Sequence, residues 1–135
     1  MTRYFLFIGP LNHLAYFKKH GYVQQNYNHK KRLSKLSKGD YVIFYASRTS
    51  STSSEPYRKI IAVGRVTNSK IYTVKVGNKK FHRMKVKFMK TNEIPLTKKI
   101  IQKLKFIKNK KYYGLYFISG FRELSKSDFN IMRNK

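Results

Sequence analysis

The 135-residue sequence contains no cysteine, no tryptophan and only five acidic residues, Asp40, Glu55, Glu93, Glu123 and Asp128. Without cysteine there are no disulfides and no thiolate metal sites, and the composition fits a reducing cytoplasm. No apolar run approaches the ~20 residues needed to cross a bilayer, and no amphipathic stretch offers a broad apolar face to a membrane surface. With Asp40 read as a turn residue and Asp128 as a helix cap, no carboxylate pair remains for glycoside hydrolysis or two-metal chemistry. The four histidines, His13, His20, His29 and His82, lack metal-ligand spacing. There is neither a glycine-rich phosphate loop nor a Gly-x-Ser-x-Gly elbow. No metal and no cofactor are expected.

What the chain has in excess is positive charge. Lys and Arg number 31, giving a formal net charge of +26, and 11 Tyr with 10 Phe bring the aromatic fraction to 16%. Five acids cannot neutralise that charge internally, so a polyanion is the expected partner, and counterion release the expected driving force. Hydrophobic residues make up 41% of the chain, enough for one core and too many for a disordered basic tail. Cations interleaved with aromatics suit a surface that holds phosphates and stacks bases.

Residues 1–135 read as a single domain, expected to be monomeric. Residues 4–8 form a buried strand that Gly9 and Pro10 break. A helix follows with Leu11, Leu14 and Ala15 on one face, ended by Gly21. A basic segment, 26–37, precedes a Gly39-Asp40 turn and a central strand at 41–46. A Ser/Thr-rich loop spans 48–55. Strands are expected at 60–66, where Gly64 marks a bulge or a close approach, and at 72–76 and 84–88, joined through Gly77-Asn78. Thr97 caps a helix burying Ile100, Ile101 and Leu104. Residues 115–118 and 121–124 read as strands, and Ser125 caps a last helix with Asp128 in the capping-box position. The fold class is therefore α+β, a mostly antiparallel curved sheet or small barrel with short helices outside.

Three stretches carry a family resemblance: Gly39-Asp40-Tyr41-Val42-Ile43-Phe44-Tyr45, then Leu104-Lys105-Phe106-Ile107-Lys108-Asn109-Lys110 leading to Tyr112-Tyr113-Gly114, and Arg122-Glu123-Leu124-Ser125 followed by Asp128-Phe129. In order and spacing the chain resembles an EVE domain of the PUA-like superfamily, with Tyr112-Tyr113-Gly114 standing where the family has Trp-Gly. The resemblance implies a PUA-like curved, mostly antiparallel β-barrel flanked by short helices. It further implies non-catalytic recognition of one flipped, chemically modified base of RNA or DNA.

The residues expected to line such a pocket are Phe7, Gln25, Asn26, His29, Lys30, Tyr45, Ser47, Tyr113 and Phe117. Amide and imidazole groups read base edges. Tyr45 either stacks on the base, a contact worth about 1–3 kcal/mol, or is a core tyrosine. Phosphates fall to Arg32, Arg48, Lys108, Lys110, Lys111 and Arg122, with Arg122 alternatively pairing to Glu123 or Asp128. Three rival readings stay open: a metal-free ribonuclease using His29 and His82 with Lys30, a protein-facing or ribosome-associated adaptor, and a module binding small anionic molecules.

Overall fold

The computed structural model describes residues 1–133. The chain runs β1 (Tyr4–Pro10), α1 (Leu11–His20), β2 (Tyr22–Asn26), α2 (Lys30–Ser34), β3 (Tyr41–Arg48), β4 (Pro56–Val76), β5 (Lys79–Phe88), β6 (Ile94–Pro95), α3 (Lys98–Lys103), β7 (Phe121–Leu124) and α4 (Lys126–Arg133), with 3-10 turns at Tyr27–His29 and Lys110–Phe117. All seven strands belong to one curled sheet, ordered β2-β5-β4-β3-β1-β7, with β6 paired to β4. Pairing is antiparallel except between β1 and β3, which run parallel. The result is the α+β, PUA-like architecture expected, a half-barrel whose edges β2 and β7 do not pair.

The middle strands are apolar at successive positions because both sheet faces are covered. Alternation divides them between two cores. Phe5, Phe7, Val42, Phe44 and Ala46 point into the concave face with Leu14 and Leu33. Leu6, Ile43 and Tyr45 point the other way, against Ile101, Leu104, Phe117, Phe129 and Met132. Phe7 and Tyr45 are 1% and 2% exposed. Burial pushes the Tyr45 phenol up to about 12, as desolvation of the phenolate requires.

Five local expectations need correction. The stretches read as strands 60–66 and 72–76 are one strand, β4, with extra residues between Val66 and Ile71 opposite Val86 and Met84. The four intervening residues are exposed and polar, which hid the continuity. Residues 115–118 are not a strand but lie at the end of the second 3-10 turn, with Leu115 and Ile118 exposed. Ala15 is exposed, and Leu11 and Phe17 pack beside Leu14 instead. Asp128 is 2% exposed and accepts from the backbone N–H groups of Lys105 and Phe106 at 2.8 and 3.0 Å, while the Ser125 hydroxyl accepts from the Asp128 N–H. Asp40, 3% exposed, is more than a turn residue: it accepts from the backbone N–H groups of Arg3 and Ser37.

Other signals hold. Gly21 adopts φ 79° and donates to the Phe17 carbonyl, the left-handed cap that glycine permits. The Thr97 hydroxyl accepts from the Ile100 N–H at 3.3 Å. Gly64 marks a close approach: an added Cβ would lie 2.6 Å from Val86 Cγ1 and 2.9 Å from the Lys87 carbonyl oxygen.

Where the half-barrel fails to close, Arg32 takes the place of backbone pairing. One guanidinium nitrogen donates to Gln25 Oε1 on β2 at 3.0 Å and another to the Ser119 carbonyl before β7 at 2.8 Å. Its planar fork also lies over the Phe121 ring, 6.0 Å from the centroid. Partial burial pulls its pKa below the ordinary guanidinium value.

Gly64→Ala is expected to lower unfolding stability by about 1–3 kcal/mol through overpacking, whereas Gly114→Ala, with open space around it, stays within about 0.5 kcal/mol of the parent. Urea titrations of both variants test the contrast. Arg32→Lys keeps the charge but removes the two-ended fork. It is expected to cost about 1 kcal/mol, below the usual value for charged hydrogen bonds because the site is half-exposed. An unchanged melting temperature would show that the seam holds without the strap.

Candidate nucleic-acid interface

Strand β1 ends in Ile8, Gly9 and Pro10, and its register with β3 shifts at Gly9/Pro10. Pro10 donates no hydrogen bond, so the chain leaves the sheet there and turns into α1. These three residues form a ridge with a cavity on either side. The expected pocket residues do not surround one cavity; the ridge divides them between two.

The first cavity, about 400 Å³, sits at the open seam. Its walls are Phe7, His13 and Phe17 from β1 and α1, Gln24, Gln25 and Asn26 from β2, His29 and Arg32, Phe81 from β5, and Ser119. Of the expected residues it gathers Phe7, Gln25, Asn26, His29 and Arg32. Phe7 contributes its buried ring to the floor, stacked edge-on with Phe44 and tilted against Phe121. The Gln25 side chain is fixed at both ends, donating to the Gln24 carbonyl and accepting from Arg32. Gln24 is held by Arg83, whose Nε donates to Gln24 Oε1 at 2.8 Å. Asn26 and His29 make no side-chain hydrogen bond among the described residues, so their polar atoms are available to a ligand. Lys30 is exposed next to this wall but does not line it.

The second cavity, about 670 Å³, lies on the opposite side of the ridge. It gathers Tyr45, Ser47, Arg48, Lys111, Tyr113 and Phe117, together with Arg58. Tyr45 belongs to its floor: the ring packs on Phe117 at 4.8 Å between centroids and is too buried to offer a face to a base. Half-buried Tyr113 is the more accessible ring, and Arg48, Arg58 and Lys111 are exposed at the mouth.

Three expected phosphate contacts sit elsewhere. Lys108 is exposed and lines neither cavity. The Lys110 ammonium donates to the Leu104 carbonyl at the end of α3. Arg122 pairs with neither Glu123 nor Asp128; its guanidinium lies over Phe106 and Tyr116, 5.0 and 5.8 Å from the ring centroids. Glu123 is engaged by Arg3, at 2.7 and 3.1 Å, which holds its carboxyl below the ordinary range. His82 is 4% exposed, bonded through Nδ1 to the Thr73 hydroxyl and stacked with Tyr27. It does not line the cavity of His29, so the two histidines form no acid–base pair around it.

Sequence reasoning missed Gln24, His13, Phe81 and Ser119 of the first cavity and Arg58 of the second. The first four are brought together by the β2–β5 register, the packing of α1 and the turn before β7, which only the folded chain supplies. Arg58 carries no local signal at all.

Four of the five acids hold the fold, and the fifth, Glu55, is exposed. Asp40 and Asp128 are buried on backbone donors, Glu123 binds Arg3, and Glu93 accepts from the Tyr57 hydroxyl beside Lys59. Among the described residues the cations lining the two cavities, Arg32, Arg48, Arg58 and Lys111, form no ion pair with a carboxylate.

Known proteins agree with this architecture. The chain is 32% identical over 113 residues to a UPF0310 protein encoded in the gntR 5′ region of Bacillus licheniformis, covering 83% of this chain and 76% of that one. It is 32% identical over 127 residues to a UPF0310 protein of Pyrococcus horikoshii, covering 85% and 86%. Among solved structures, human THYN1 in complex with 5-methylcytosine-containing DNA superposes with a TM-score of 0.55 at 16% identity, covering 96% of this chain and 94% of that one. A Pseudomonas syringae protein superposes with a TM-score of 0.54 at 11% identity, covering 94% and 95%. Residues 3–135 match the EVE domain, and the chain belongs to that family.

Proposed function

We propose that this protein binds nucleic acid without chemistry and receives one flipped, chemically modified base in the cavity at the half-barrel seam. The observation that carries the reading is the convergence of amide, imidazole and guanidinium groups over an aromatic floor, where Asn26 and His29 have unused polar atoms. Base edges are read by such groups, and a base must leave its stack to reach them. The volume, about 400 Å³, lies within the range of ligand sites, about 300–1,000 Å³. Uncompensated charge supplies attraction to phosphates, which carry no sequence information. The neutral groups of the cavity supply selectivity. The fold neighbour whose complex contains 5-methylcytosine DNA supports a modified base as the ligand class.

Two measurements test this. With a short single-stranded oligonucleotide, the logarithm of affinity is expected to fall linearly with that of salt concentration. A slope of about −3 corresponds to about four neutralised phosphates; a flat dependence would remove the phosphate half of the reading. Across oligonucleotides differing only in base modification, Asn26→Ala and His29→Ala are expected to reduce the preference for the best-bound base by about tenfold each, with the salt slope unchanged. Uniform weakening across the panel, with no change in preference, would move base recognition away from this cavity.

A further inference from the structure

The second cavity contains the one non-glycine residue with positive φ among the described residues, Arg58 at φ 56°. Left-handed backbone is uncommon for a residue other than Gly, Asn or Asp and costs stability. The position explains the conformation. Along β3 and β4, Ala46 pairs with Lys59 but Arg48 pairs with Pro56, so Tyr57 and Arg58 oppose Ser47 alone. This is a β-bulge, a device that re-aims a side chain. The Arg58 carbonyl is pinned by the Leu96 N–H at 2.9 Å, while the exposed residue lines the cavity together with Arg48, Lys111 and Tyr113. No acidic partner holds Arg58 among the described residues. Strain that orders no internal contact of the side chain, at a cavity mouth already rich in cations, points to a ligand.

We infer that this cavity is a second nucleotide subsite, in which Arg58 binds the phosphate next to the flipped base and Tyr113 stacks on the neighbouring base. The inference rests on the base-receiving role proposed for the seam cavity. The two cavities share the Ile8–Gly9–Pro10 ridge, so a strand that occupies both crosses it. An arginine fork with a nearby aromatic face is suited to phosphate and base together. The protein thus reads a two-nucleotide unit, with the modified base on one side of β1 and its neighbour on the other.

The test uses the intact chain, labelled with nitrogen-15, titrated with nucleoside monophosphates and with dinucleotides and followed by amide chemical shifts. Mononucleotides are expected to move the amides of Gln25 and Asn26 only; dinucleotides are expected to move those of Ser47, Tyr113 and Gly114 as well. Arg58→Gly removes the fork and relieves the left-handed backbone. It is expected to raise the melting temperature, abolish the second set of shifts, leave the first set intact and weaken dinucleotide affinity about tenfold. Dinucleotides that move only the first set would overturn the subsite, as would mononucleotides that move the second set by themselves, which would make it a free-standing anion site. A second set that moves while the first stays still would instead overturn the base-receiving role of the seam. Silence in both sets would overturn both.

Discussion

The open seam of the sheet is the constraint on which the rest depends. A sheet closed into a barrel has no unpaired edge, but it also has no opening between its strands. Here β2 and β7 remain apart, and Arg32 spans them from Gln25 to the Ser119 carbonyl. A side-chain bridge holds the edges without filling the space between them as a ladder would. The same fork orients Gln25, so the group that stabilises the seam also prepares the cavity wall. Stability and recognition meet in one guanidinium, a coupling that backbone closure could not provide.

The distribution of charge follows the same logic. Buried carboxylates are costly unless bonded, and both buried acids here are satisfied by backbone N–H groups, Asp40 by Arg3 and Ser37, Asp128 by Lys105 and Phe106. Each ties a distant segment to a core element. The fold thereby spends four of its five acids on architecture and leaves most Lys and Arg side chains to the surface. The resulting self-repulsion is relieved when a polyanion binds, which couples stability to occupancy: any ligand that binds only the folded state adds to its stability.

The sequence disclosed those features whose causes are local. Thr97, Ser125 and Gly21 mark helix ends through their own hydrogen-bonding or conformational chemistry, and Gly77-Asn78 marks a two-residue hairpin. The apolar run at 115–118 misled because Tyr, Phe and Ile favour strands; in the fold Phe117 packs against Tyr45 at the end of a 3-10 turn instead. The parallel β1–β3 pair and the β2–β5 register are non-local, and with them went the division of the site into two cavities. The residue types expected at a base-reading site were present, but the ridge that sorts them was not legible. Arg58 was least legible of all: glycine and asparagine announce left-handed backbone, and arginine does not.

Attraction and discrimination depend on different forces in this arrangement. Cation–phosphate attraction reaches about 8–10 Å at physiological ionic strength and weakens with salt. The contacts available to Asn26 and His29 act only at hydrogen-bond distance and between neutral groups, so they depend less on salt. On the proposed reading, a chain this basic encounters many nucleic acids and retains few of them for long. The surface charge would set how often a strand arrives, and the neutral groups along the seam whether a particular base keeps it there.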